Sequence, residues 1–121
     1  ASGDLVSQAV DVGGVKVLSS QLDGADVKSL DNSVAQLKDR LGSSVVLLAS
    51  VDGDKINLVA GVSADLQDTV SAGKLIQFFA PLVGGKGGGK ADKAKGAGTN
   101  VAALPQALTA VEGWVKEQLG S

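Results

Sequence analysis

Four lysines set among glycines are the residues best able to do chemistry in this chain. Lys86, Lys90, Lys93 and Lys95 lie in the stretch Val83 to Asn100, VGGKGGGKADKAKGAGTN, whose one acidic residue is Asp92. Gly85, Gly87, Gly88 and Gly89 crowd around the first two lysines. Glycine lets a backbone reach φ > 0, and it lets another molecule approach main-chain N–H groups that a Cβ would shield. Amides and ammonium groups together make a receptor for a phosphate or a string of phosphates.

Other chemistry is scarce. The sequence has no His, Cys, Met or Tyr, which removes the commonest general base, the thiolate nucleophile and the usual zinc ligands. Asp52 and Asp54 flank Gly53 and read as turn formers rather than a metal pair. Gly84, Gly89 and Lys90 satisfy the GxxxxGK of a nucleotide P-loop, but Ala91 stands where a Ser or Thr hydroxyl would hold Mg²⁺. A P-loop also follows a strand, and this segment follows a helical pattern, so ATP is not expected here. A flexible linker fits poorly, because linkers favour Ser and Pro and separate domains. Contact with a nucleic-acid backbone fits better. Only Phe78, Phe79 and Trp114 are aromatic, so recognition by shape is expected rather than base stacking. For the same reason an RNA-recognition motif, with its exposed ring-bearing sheet, is excluded.

The charge distribution agrees. Net charge is −2, yet six Lys or Arg face ten Asp before Gly84, and five Lys face Asp92, Glu112 and Glu117 from Gly84 onward. Positive charge is concentrated in the glycine segment.

The elements that must hold this segment can be read from apolar spacing. At 121 residues the chain is expected to form one domain. Val12 to Leu22 alternates around Val15 and Val17 and reads as a strand ending at Asp23-Gly24. Leu30, Val34, Leu37 and Leu41 predict a helix from Val27, with Asp26 as N-cap and Gly42 closing it. Its polar face, with Lys28, Asp31, Lys38, Asp39 and Arg40, reads as solvated surface. Val45 to Val51 is an apolar run suited to a strand covered on both sides, and Asp52 to Lys55 turns it into a second strand ending near Ser63.

Ala64 to Val70 reads as a short helical turn. Ala72 to Val83 reads as a helix burying Leu75, Phe78 or Phe79, and Leu82, with Pro81 kinking or ending it. After the glycine loop, Leu104, Leu108, Val111, Val115 and Leu119 predict a last helix with Pro105 in its first turn and Trp114 as a core anchor. The expected fold class is α+β: a small mixed sheet of three or more strands covered by helices, in the order β-α-β-β-α-glycine loop-α.

Two stretches also carry a family resemblance. The run Gly84-Gly85-Lys86-Gly87-Gly88-Gly89-Lys90-Ala91-Asp92-Lys93-Ala94 and the helix with Ala110-Val111-Glu112-Gly113-Trp114-Val115 resemble the end of bacterial alanyl-tRNA synthetases. The strand Leu58-Val59-Ala60-Gly61-Val62-Ser63 fits the same family. The glycine motif is shared with the domain that accompanies DHH-type phosphoesterases, RecJ-like nucleases among them. Two departures stand out: Lys90-Ala91 replaces the usual Arg-Pro, and the later glycine pair is spaced as Gly96-Ala97-Gly98. Lysine keeps the charge but loses the bidentate geometry of arginine.

What the resemblance implies is the globular C-terminal, or C-Ala, domain of an alanine-tRNA ligase. Residues 12–121 would form it around the loop 84–100, and residues 1–11, with Leu5 and Ala9 at helical spacing, would be the remnant of an upstream helical linker. The lack of an initiator Met agrees with a piece of a longer protein. In the family this domain contacts the outer corner of tRNA(Ala) and helps one tRNA serve both aminoacylation and removal of mischarged serine or glycine. The catalytic and editing domains would be partners in the parent chain, with ATP, Mg and Zn belonging to them and no cofactor expected in this part. A homodimer would form through the missing helical segment.

The nucleic-acid-binding residues implied are Gly85, Lys86, Gly87, Gly88, Gly89, Lys90, Lys93 and Lys95, with no catalytic or metal-binding residue. Two alternatives stay open: a substrate-binding domain of a DHH phosphoesterase, for which DNA is a further partner, and a structural or dimerising tail. No apolar run approaches the roughly 20 residues of a membrane span, there is no signal-like start, and the absence of Cys suits a reducing compartment. The expected location is cytoplasmic, away from membranes.

Overall fold

The computed structural model describes residues 8–22 and 24–120. Six strands form one mixed sheet in the spatial order β1-β2-β3-β4-β6-β5: β1 (Val10–Val12), β2 (Val15–Gln21), β3 (Ser44–Asp52), β4 (Lys55–Val62), β5 (Lys86–Gly89) and β6 (Lys93–Gly98). Three helices cover it: α1 (Val27–Leu41), α2 (Ala72–Phe79) and α3 (Leu104–Gln118). The sheet is mixed because β2 and β3 run parallel, joined through α1, and every other neighbouring pair is antiparallel.

Helix α1 forms where its spacing places it. Asp26 accepts from the Ser29 amide at 2.8 Å, and Gly42, at φ 75°, donates to the Lys38 carbonyl. Leu30, Val34 and Leu37 are buried against Leu18, Val46, Leu48 and Val59 on one face of the sheet. The opposite face of β2, β3 and β4 carries Val17, Leu47, Leu58 and Ala60, and meets Leu75, Ile76, Phe79, Leu104, Val111 and Val115 of α2 and α3. Strand β3 is therefore apolar at successive positions, because successive side chains enter two different cores. Its buried polar residues are Ser44, whose hydroxyl donates to the Gly42 carbonyl, and Ser50, whose hydroxyl has no partner among the described residues.

Several expectations change. The first strand is a hairpin: Gly13 and Gly14, at φ 59° and 91°, turn β1 onto β2 in a two-residue loop that only glycine enters easily. Val10 and Asp11, assigned to a helical linker, stand in β1, and Leu5 lies outside the described residues. The helix from Ala72 stops at Phe79 and tightens into a 3₁₀ turn over Ala80–Val83 with Pro81 near its start. That tightening rotates Leu82 outward, 42% exposed, while Phe79 and Val83 stay buried. Phe78 stacks on Trp114 with ring centroids 5.5 Å apart, and Trp114 packs against the core as expected.

The largest change is in the glycine segment itself. It is no loop: Lys86–Gly89 and Lys93–Gly98 are strands that complete the sheet, with β5 at its edge. Sequence patterning missed them because KGGG and KAKGAG lack the β-branched and aromatic residues that mark strands.

Candidate nucleic-acid interface

The β5–β6 hairpin is held by its neighbours. Val62 N–H donates to the Asp92 carbonyl, and the Ala72 and Gly73 amides in the first turn of α2 donate to the carbonyls of Ala91 and Lys90. The hairpin turn thus satisfies two of the donors that a helix N-terminus leaves open. Antiparallel pairing then runs Val59 opposite Lys95 and Gly61 opposite Lys93 on β4–β6, and Lys86 opposite Ala97 and Gly88 opposite Lys95 on β5–β6.

Directly opposed residues share a face of the sheet. Val59 points into the α1 core, so Lys93, Lys95 and Lys86 project from the same face as α1. Helix α1 packs over β3 and β4, whereas α2 and the 3₁₀ turn after it pack beneath β5 and β6. The upper face of the hairpin is left as a shelf. Along it the lysine rungs at residues 93, 95 and 97, the last supplied by Lys86, are spaced about 6.6 Å apart, two residues of strand. Lys90 stands at the hairpin turn, where its amide donates to the Lys93 carbonyl at 2.9 Å. An open cleft of about 370 Å³ runs between Gly88, Lys90, Lys93 and Lys95. A separate cleft of about 390 Å³ is lined by Lys86, Ala97 and Thr99 with Asp54 and Lys55.

The four lysines are exposed but not equivalent. Lys86 and Lys90 have no ion-pair partner among the described residues. Asp31 of α1 engages the other two, at 2.8 Å from Lys93 Nζ and 3.7 Å from Lys95 Nζ. The hydrogen bond from Lys93, with the charges of Lys93 and Lys95, holds the Asp31 carboxyl below its ordinary pKa in spite of partial burial. Asp31 had read as solvated surface. Lys93 is 62 residues away in sequence and Lys95 lies two further on, and only the β4–β6 pairing brings them beside α1.

The glycines have a nearer reason than access for a ligand. A Cβ on Gly85 would lie 1.7 Å from the Ala97 carbonyl oxygen, one on Gly87 2.4 Å from Gly96 Cα, and one on Gly89 2.6 Å from Ala94 Cα. Ile76 of α2 stands 2.8 Å from the Cβ positions of both Gly87 and Gly96. Side chains are excluded because strand, strand and helix meet at backbone distance. Gly88 differs: its Cβ position touches only Gln77 Nε2, at 3.6 Å. None of the hairpin glycines has positive φ; Gly84, at φ 70°, closes the 3₁₀ turn just before it. The structure brings the predicted residues into one hairpin, with the lysines on its open side and at its turn, and most of the glycines serve the closed side. Among the described residues no cluster of three or more acidic side chains is arranged to hold a metal, and no helix is long and apolar enough to cross a membrane.

A mixed sheet with one helix above and two below, closed by a glycine hairpin, is the architecture of a known domain class. A family model described as the DHHA1 domain matches residues 14–117, and the chain belongs to that family. Within it the chain's place is with the C-Ala domains of alanyl-tRNA synthetases. The C-Ala domain of Aquifex aeolicus alanyl-tRNA synthetase superposes with a TM-score of 0.83 at 31% identity, covering 89% of this chain and 97% of that one. The alanine–tRNA ligase of Acidovorax sp. (strain JS42) is 56% identical over 116 residues, 96% of this chain. The chain spans 13% of that ligase's length. A DHH domain of a member of the s1p family of ribosomal proteins shares the fold at 17% identity and a TM-score of 0.62, covering 93% of this chain and 29% of that one.

Proposed function

We propose that this chain is the tRNA-binding C-terminal module of an alanine–tRNA ligase, gripping the ribose-phosphate backbone of the tRNA outer corner on the upper face of the β5–β6 hairpin. The observation that carries it is the shelf: Lys86, Lys93 and Lys95, two strand residues apart on the part of the α1 face that the helix leaves uncovered, with Lys90 at the turn. Gly88 and Ala97 keep that face low, so the Lys86 and Lys90 ammonium groups are open to phosphates while Lys93 and Lys95 lie beside Asp31, a contact that needs no reading of bases. In the parent ligase the module would hold one tRNA while its acceptor end serves aminoacylation and then editing. Covalent linkage to the other domains raises the effective concentration of a contact that is weak alone. The 56% identity to an alanine–tRNA ligase favours this reading over a DHH phosphoesterase, for which the likeness is one of fold.

The test is a titration of the chain with tRNA(Ala) across a salt series. Three or four neutralised phosphates predict a slope of log affinity on log salt of roughly −2 to −4. The variant with Lys86, Lys90, Lys93 and Lys95 all changed to Ala is expected to lose both affinity and slope. A flat salt response, or equal affinity for both proteins, sinks the proposal. Location in the cytoplasm, where tRNA is charged, goes with it and is checked by fractionation of the parent protein.

A further inference from the structure

Helix α1 extends the basic shelf. Gly61, opposite Lys93 in the ladder, has no side chain, and α1 fills the space: a Cβ there would lie 2.5 Å from Val34 Cγ1 and 3.1 and 3.4 Å from Lys38 Cδ and Cε. The Lys38 stem is therefore laid over Gly61, half-buried, with its ammonium one bond beyond. Its direction follows from the helix. Asp31 and Lys38 are seven residues apart, two turns or about 10.5 Å along the axis, on the same flank of the buried stripe. Asp31 uses that flank to reach Lys93 and Lys95, so Lys38 also faces β6. No carboxylate pairs with it among the described residues. On the hairpin side of this seam Lys90, Lys93 and Lys95 stand with Asp92 around one cleft, and from α1 Asp31 pairs with Lys93 and Lys95 while Lys38 lies over Gly61.

We infer that Lys38 is a further phosphate contact, carrying the nucleic-acid surface from the hairpin across the α1 seam. The inference rests on the proposed function and adds a residue from a different element. A stem pinned over a glycine has already lost much of its rotamer freedom, so its ammonium meets a phosphate at low entropic cost. The competing role is packing alone, with the four methylenes sealing α1 against β4.

Lys38→Met separates the two, because it keeps the stem and removes the charge. Lys74→Met, on α2 beneath the sheet, is the control, and thermal melting checks that both stay folded. With tRNA(Ala) as probe, Lys38→Met is expected to weaken binding about three- to tenfold and to flatten the salt slope by roughly 0.7 to 0.9, one phosphate contact. Lys38→Arg should restore both, and Lys74→Met should change neither. If Lys38→Met binds like the parent while the fourfold hairpin variant does not, Lys38 is packing and the inference falls alone. If the fourfold variant also binds normally, the proposed function falls with it.

Discussion

Asp31→Asn is the perturbation with the most informative sign. The carboxylate sits 2.8 Å from Lys93 Nζ and 3.7 Å from Lys95 Nζ, so a phosphate resting on either ammonium would lie about 5–6 Å from it. At an effective dielectric near that of water the repulsion is roughly 0.7 kcal/mol per phosphate, cut by about half by physiological salt. Two phosphates bring the penalty to somewhat under 1 kcal/mol, or three- to fivefold in affinity. The amide substitution removes that penalty and frees two lysines. tRNA affinity is expected to rise by this factor at about 0.1 M salt, with a steeper salt slope. Stability should move the opposite way, by about 0.2–1 kcal/mol, because a partly exposed ion pair between α1 and β6 is lost. Paired salt titrations and denaturant melts of the two proteins measure both. A fall in affinity with the fold intact would refute the reasoning, since it would mean that Asp31 orients the lysines for binding instead of restraining them.

Two glycine substitutions should have opposite signs although both residues are helical. Gly113→Ala, with open space at its Cβ position in α3, should stabilise by about 0.5–1 kcal/mol on helix propensity. Gly73→Ala should destabilise by about 1–3 kcal/mol despite the same propensity gain, because its Cβ would lie 2.5 Å from the Gly89 carbonyl oxygen; thermal denaturation reads both. Acid stability follows the carboxylates. Asp26 and Asp31 have folded pKa values below the unfolded 3.8, through the Ser29 amide and the Lys93 hydrogen bond respectively. Their stabilisation is therefore present above about pH 4 and lost as pH falls through the lower folded values. Without histidine, Tm should be nearly flat between about pH 5 and 8, and a Tm series across that range checks it. Trp114→Phe, on the side of the sheet away from the lysines, should lower Tm and leave tRNA affinity unchanged.

Helices and the central strands were legible because their signals are local. Asp26, the Leu30 to Leu41 spacing and Gly42 delimit α1 without reference to any other part of the chain. The double-sided burial of β3 shows in its unbroken apolar run. The hairpin was not legible as strands, since its residues join a sheet through what they lack. Lys86 and Lys95 stood out by composition, but Asp31 and Lys38 belong to the seam only because Gly61 lets α1 settle on β4. That isolated glycine in a strand was the one available hint of a close approach.

The position of β5 at the rim of the sheet has a consequence of its own. KGGG offers a rim whose peptide groups no bulky side chain screens, which is the kind of margin a second copy of the chain would readily zip onto. Its brevity and the mutual repulsion of ammonium groups on approaching copies should oppose such self-assembly. Stripping those charges to abolish RNA contact should therefore also make the protein stickier toward itself, and light scattering belongs beside every titration of the fourfold variant.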